Sequence, residues 1–167
     1  ERMKVLNGES MRSSIIKMTT DFVEKAVDLN ISGEHNQEEW DYKSLNEMLL
    51  PVIPIEPVKS DASVKTIDEP KHVLKERAIK LYESKEAEFP EAEQLRELER
   101  VTLLRVIDAR WRDHIDDMEQ LKQGIGLQAY GQRDPKVEYK MAGYDMFDAM
   151  TEGIAEDTVR LLMNVRI

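Results

Sequence analysis

The chain has 167 residues and a mass of 19.4 kDa, the size of one ordinary domain or two small ones. Its formal charge of −10 and pI near 4.9 exclude a general surface for nucleic-acid phosphates, so nucleic acid is not expected as a main partner. With charged residues at 35% and a mean hydropathy of −0.56, no stretch approaches the roughly 20 apolar residues that cross a bilayer. The absence of cysteine rules out disulfides, thiolate zinc sites and a cysteine nucleophile, and the cytosol is the expected compartment. Nine Met, abundant Glu, Lys, Leu and Ala, and only 7 Gly point to an all-α fold. The opening Glu1-Arg2-Met3-Lys4 reads as part of a longer polypeptide.

Met11, Ile15, Met18, Phe22, Ala26 and Leu29 recur at steps of three and four, which predicts a first helix from about Ser10 to Leu29. Asn30 and Gly33 are stop residues. A shorter apolar helix from about Trp40 to Leu50 ends at Pro51. Pro51, Pro54, Pro57 and Pro70 punctuate the next segment, with Val52, Ile53, Ile55 and Val58 between them; this predicts an extended connector over 51–70, held down by its aliphatics. Asp68 with Pro70 signals the start of a helix carrying Val73, Leu74, Ala78, Leu81 and Tyr82 to about Phe89.

After Pro90 comes the longest periodic segment, with Leu95, Leu98, Val101, Leu104, Ile107, Trp111, Ile115, Met118, Leu121 and Ile125 all apolar. From Leu95 to Ile107 the steps are all threes, so the stripe swings by about 120° around the axis, whereas Ile107 to Ile125 returns to one azimuth. The two halves of this helix are therefore expected to face different neighbours. Trp111 is expected as a core anchor, and Ile115, Met118 and Phe147 are expected as further core residues. Asp134-Pro135 supplies an N-cap and a first-turn proline for a last helix with Met141, Tyr144, Phe147, Met150, Ile154, Leu161 and Val165 on its apolar side. Residues 90–167 thus read as a helical hairpin bending over Gly124 to Arg133.

Little in this pattern supports catalysis. The bend glycines follow a helix rather than a strand, so a dinucleotide loop does not fit, and no Gly-x-x-x-x-Gly-Lys-Ser/Thr sequence cradles ATP phosphates. His114 among Asp113, Asp116 and Asp117 is the one constellation resembling a metal site, but two ligands from one helix lack partners. The plainer reading places the histidine beside the apolar stripe, with the acids paired to Arg110 and Arg112. No metal and no catalytic residue are expected. The bend presents Leu127 and Tyr130 where solvent is expected, and Lys122, Arg133, Lys136 and Lys140 leave this end locally positive on an acidic chain. Two readings stay open: a contact surface for a partner of negative or polypeptide-backbone character, or side chains folded back onto their own helices.

The run from Trp111 to Ile125, WRDHIDDMEQLKQGI, and the run from Leu127 to Lys140, LQAYGQRDPKVEYK, closely resemble the C-terminal region of the SecA family of bacterial preprotein translocase ATPases, and Met146, Phe147 and Met150 fit the same pattern. The upstream part resembles the family's helical wing through Trp40-Asp41, the connector prolines and the order of elements. The resemblance implies that residues 1–7 end a preceding scaffold helix, that 8–90 form the helical wing domain, and that 91–167 form the scaffold part known as the two-helix finger. It further implies a finger tip at Leu127, Gln128, Tyr130, Gln132 and Arg133 that contacts the SecY channel (SecYEG) and unfolded preprotein, Tyr130 matching the tip tyrosine. Many family members carry arginine where Gln128 stands here. The resemblance implies no cofactor in this segment; ATP and Mg belong to the parent's nucleotide-binding domains, which the segment would couple and regulate at the inner face of the bacterial membrane. A stand-alone helical adaptor that binds partner helices is the alternative expectation.

Overall fold

The computed structural model describes the backbone of residues 8–31, 40–58, 66–128 and 135–165, and the side chains of 11–31, 40–58, 66–124 and 140–165. Among these residues there are five helices and no strand, as the composition predicts. They are α1 (Gly8–Asn30), α2 (Tyr42–Leu49), α3 (Asp68–Glu88), α4 (Ala92–Gln128) and α5 (Pro135–Asn164).

In α1 the buried face is Met11, Ile15, Thr19, Phe22, Val23, Ala26 and Val27. This stripe centres on the Thr19 and Ala26 azimuth, so Met18 is only partly buried; Leu29, expected on the apolar side, shares the azimuth of the buried Met11 but lies in the last turn and is exposed. The Thr19 hydroxyl is tolerated in the interior because it donates to the Ile15 carbonyl at 2.8 Å.

Asp41 caps α2, its carboxylate accepting from the Ser44 amide at 2.9 Å and the Ser44 hydroxyl at 2.6 Å; these bonds hold its carboxyl below the usual range. Leu45 and Leu49 are the buried side of this short helix. Val52 and Ile53 are buried and Ile55 and Val58 pack against the same core, as the aliphatic spacing predicts. Polar clamps add to that hold: the Asn46 side chain donates to the Val58 carbonyl at 3.0 Å and accepts from its amide at 3.1 Å, while Arg77 donates to the Glu56 carbonyl at 3.1 Å.

Pro70, Leu74, Ala78 and Tyr82 recur every four residues as the buried line of α3, and Val73, off that line, is exposed. The first turn opens with Asp68 and Glu69, acids favoured at a helix N-terminus. At 37 residues α4 is about 55 Å long. It runs unbroken through Gly124 to Gln128, so the helix extends further than the bend expected from Gly124. The main core gathers α1, α2, α3, the first half of α4 through Leu95, Leu98, Leu103, Leu104 and Ile107, and the last turns of α5 through Ile154, Val159, Leu162 and Met163.

Candidate interaction surface on the helical hairpin

The base of the hairpin is tied down by charge as well as by apolar packing. Glu99 of α4 is fully buried; its carboxylate accepts from the Tyr82 hydroxyl and from Arg96 at 2.5 Å. Arg96 also pairs with Glu86, which receives Arg12 of α1 at 2.8 Å. One chain of charges thus joins α1, α3 and α4. Burial pushes the Glu99 carboxyl above the usual range despite Arg96 and Tyr82, and burial beside that carboxylate pushes the Tyr82 phenol up. For Glu86 burial acts in the same sense, but the two guanidiniums outweigh it and hold the carboxyl below its ordinary value.

The far end of α5 is held from the other side. Asn164 donates to the Val52 carbonyl at 3.1 Å and to the Arg160 carbonyl at 2.8 Å, and Lys85 donates to the Val165 carbonyl at 2.7 Å. A cation on the last carbonyls is the favourable sign for a helix C-terminus. Lys25 of α1 pairs with Glu152 at 3.1 Å.

Beyond Ile107 no described residue of α4 belongs to the main core. Leu98 and Leu104 pack in it while Trp111 and Ile115 do not, so the two halves of α4 face different neighbours, as the change of stripe predicts. The expectation that Trp111, Ile115 and Phe147 are core is corrected: they are 47%, 53% and 43% exposed. The half-buried positions in the distal part of α4 are Arg110, His114, Met118 and Leu121, and this line forms the seam with α5. Trp111 and Ile115 each follow a seam residue by one position, about 100° around the axis, and so lie outside it. Met118, also expected in the core, is on the seam: a Cβ at Gly143 would stand 3.1 Å from its Cε. Met141 and Tyr144 of α5 are exposed as well. His114 lies between two rings, 5.5 Å from Trp111 and 5.9 Å edge-on from Phe147.

Charge pairing also departs from expectation. Arg110 reaches across to α5 and donates to Asp157 at 2.8 Å rather than serving the acids of its own helix. Apolar periodicity is blind to such a pair; the only signal in the sequence is that Arg110 falls four residues before His114 and eight before Met118. Glu99 had a clearer signal, standing midway between Leu95 and Leu103 on a line of fours.

Of the expected tip residues, Leu127 and Gln128 close α4, and their side chains lie outside the described residues. Tyr130, Gln132 and Arg133 lie wholly outside them. Among the described residues no helix is long and apolar enough to cross a membrane.

The architecture is that of a small helical bundle from which a long two-helix arm extends, with polar ties at its base and Trp111, Ile115, Met141, Tyr144 and Phe147 among the arm's exposed residues. The SecA Wing and Scaffold domain model matches residues 1–166, and the chain belongs to that family. It is 63% identical over 170 residues to the protein translocase subunit SecA of Lachnoclostridium phytofermentans, covering all of this chain and 20% of that protein. It is 44% identical to SecA 1 of Alkaliphilus metalliredigens over 99% of the chain and 19% of the relative, and 44% identical to SecA of Clostridium acetobutylicum over 99% and 20%. The chain therefore spans about a fifth of the length of the curated relatives it matches.

Proposed function

We propose that this chain is a non-catalytic coupling and regulatory part of a SecA-like protein-translocating ATPase, working as a lever. In this reading residues 8–90 are the wing, 91–167 the scaffold part with its finger, and the tip at Leu127, Gln128, Tyr130, Gln132 and Arg133 meets the SecYEG channel and the unfolded preprotein. ATP and Mg are held by the parent's nucleotide-binding domains, and the assembly works at the cytoplasmic face of the membrane.

The observation that carries the reading is the contrast along α4: Leu95 to Ile107 is packed in the core, and helix continues for a further 21 residues to Gln128, about 30 Å. A rod anchored at one end transmits a displacement of its base to its tip. A tyrosine there offers a flat apolar ring and a hydroxyl, which suits contact with varied polypeptide rather than one sequence.

The test is Tyr130→Ala in a complete SecA polypeptide carrying this segment, assayed for transport of a preprotein into membrane vesicles. Transport is expected to fall sharply while stability changes by no more than about 0.5 kcal/mol. A large fall in melting temperature would make Tyr130 a packing residue and contradict the reading.

A further inference from the structure

Arg110 crosses α5 over Gly153. A Cβ on Gly153 would lie 2.7 Å from the Arg110 Cζ and 2.8 Å from one terminal nitrogen, far inside van der Waals contact. Gly153 is buried in the middle of a 30-residue helix, where glycine is the least favourable residue after proline. Its missing side chain is filled by the guanidinium, which lies over the α5 backbone and reaches Asp157 one turn further on. The pair is only partly exposed, at 40% for the arginine side chain and 29% for the aspartate. Burial works against the cation, yet the hydrogen bond to Asp157 and the nearby Glu156 and Asp113 raise its affinity for the proton above the ordinary value.

We infer that Arg110, seated in the notch at Gly153 and paired with Asp157, is a latch that sets the register of the two hairpin helices just beyond the main core. A charged group held in a steric notch is position-specific in a way that apolar contact is not. Sliding α5 along α4 by one turn would bring a residue with a Cβ under the guanidinium and take the carboxylate out of reach. Toward the tip the next described contacts across the seam are His114 edge-on to Phe147 and then Met118 over Gly143. The latch therefore stands between the packed base and the distal arm and makes them one body. This inference rests on the lever reading for its functional consequence alone; the geometry and its test stand without it.

The experiment is hydrogen exchange by mass spectrometry on a SecA polypeptide carrying this segment, read at amides 111–121 and 140–150. Amides 74–82, inside the main core, serve as the folding control. Arg110→Ala, Asp157→Ala and Gly153→Ala are each expected to speed exchange in the distal arm by about two- to five-fold, the range of a part-exposed ion pair. Two features separate a latch from general packing. Gly153→Ala should give no further speeding in the Arg110→Ala background, because no guanidinium remains to be displaced and alanine is the better helix former. The exchanged pair Arg110→Asp with Asp157→Arg should leave protection lost, because the charges then match while no guanidinium from α4 fills the notch at Gly153. Gly153→Ala deletes no atom and supplies the reading if either charge deletion loses the control. Exchange at the parent rate in Arg110→Ala, or an equal effect of Gly153→Ala in both backgrounds, overturns the inference.

Discussion

The phenol of Tyr82 on α3 donates its hydrogen bond to the fully buried carboxylate of Glu99 on α4, in the interior where the bundle meets the arm. A buried carboxylate is costly unless its oxygens are satisfied, and Tyr82 and Arg96 together do this. Tyr82→Phe keeps the ring and leaves one oxygen without its donor. The expected loss is about 1–3 kcal/mol, measured by urea denaturation.

The two carboxylates of this network respond to acid in opposite senses. Glu86 has a folded value below the ordinary glutamate value of about 4.3, so its contribution is present above that pH and is lost as pH falls through the lower folded value. Glu99 has a folded value above it. Its ionised form costs stability near neutrality, and the cost is relieved as pH falls through the raised value, fully so below about 4.3. Glu86→Gln should therefore flatten the loss of stability between neutral pH and pH 3, and Glu99→Gln should steepen it. Urea midpoints measured across that range check both signs.

Burial separates the two halves of α4 in a way that substitution can read. Leu103 is buried in the main core, and Leu103→Ala should cost about 2–5 kcal/mol. Trp111 is the larger side chain but lies half exposed outside the seam, and Trp111→Ala should cost no more than about 1 kcal/mol. Thermal unfolding of the two variants under one set of conditions gives the comparison. An equal loss from both would put Trp111 back among the core residues.

The connector after α2 should depend on Asn46. Its side-chain amide pairs with both backbone groups of Val58, standing in for a neighbouring strand. Asn46→Ala is expected to make residues 51–58 more susceptible to native-state proteolysis. The buried Val52 and Ile53 should keep the melting temperature within a few degrees of the parent.

Much of the fold was legible because its helices carry clear stops and steps. Pro51, the Asp68 and Pro70 start, and Asp134-Pro135 marked boundaries that fall within a few residues of the observed ones. The line of fours in α3 located its core face. The arm was legible as a hairpin but not in its facing. Apolar residues at Trp111 and Ile115 suggested an inward stripe, whereas the seam is built on Arg110, His114, Met118 and Leu121, where a charge pair and glycines bring the helices together. Gly124 and Gly126 suggested a bend, yet α4 continues through them, since a cost of about 1 kcal/mol per glycine does not by itself end a helix. What the tip is proposed to meet rests on the family resemblance, because Tyr130 and its neighbours carry no periodic signal of their own.

The most direct measurement of the lever is site-specific photocrosslinking from position 130 in a SecA polypeptide carrying this segment, during transport of a preprotein through SecYEG. The account predicts cross-links to the channel and to the moving chain. Cross-links confined to α4 and α5 of the same molecule would contradict it.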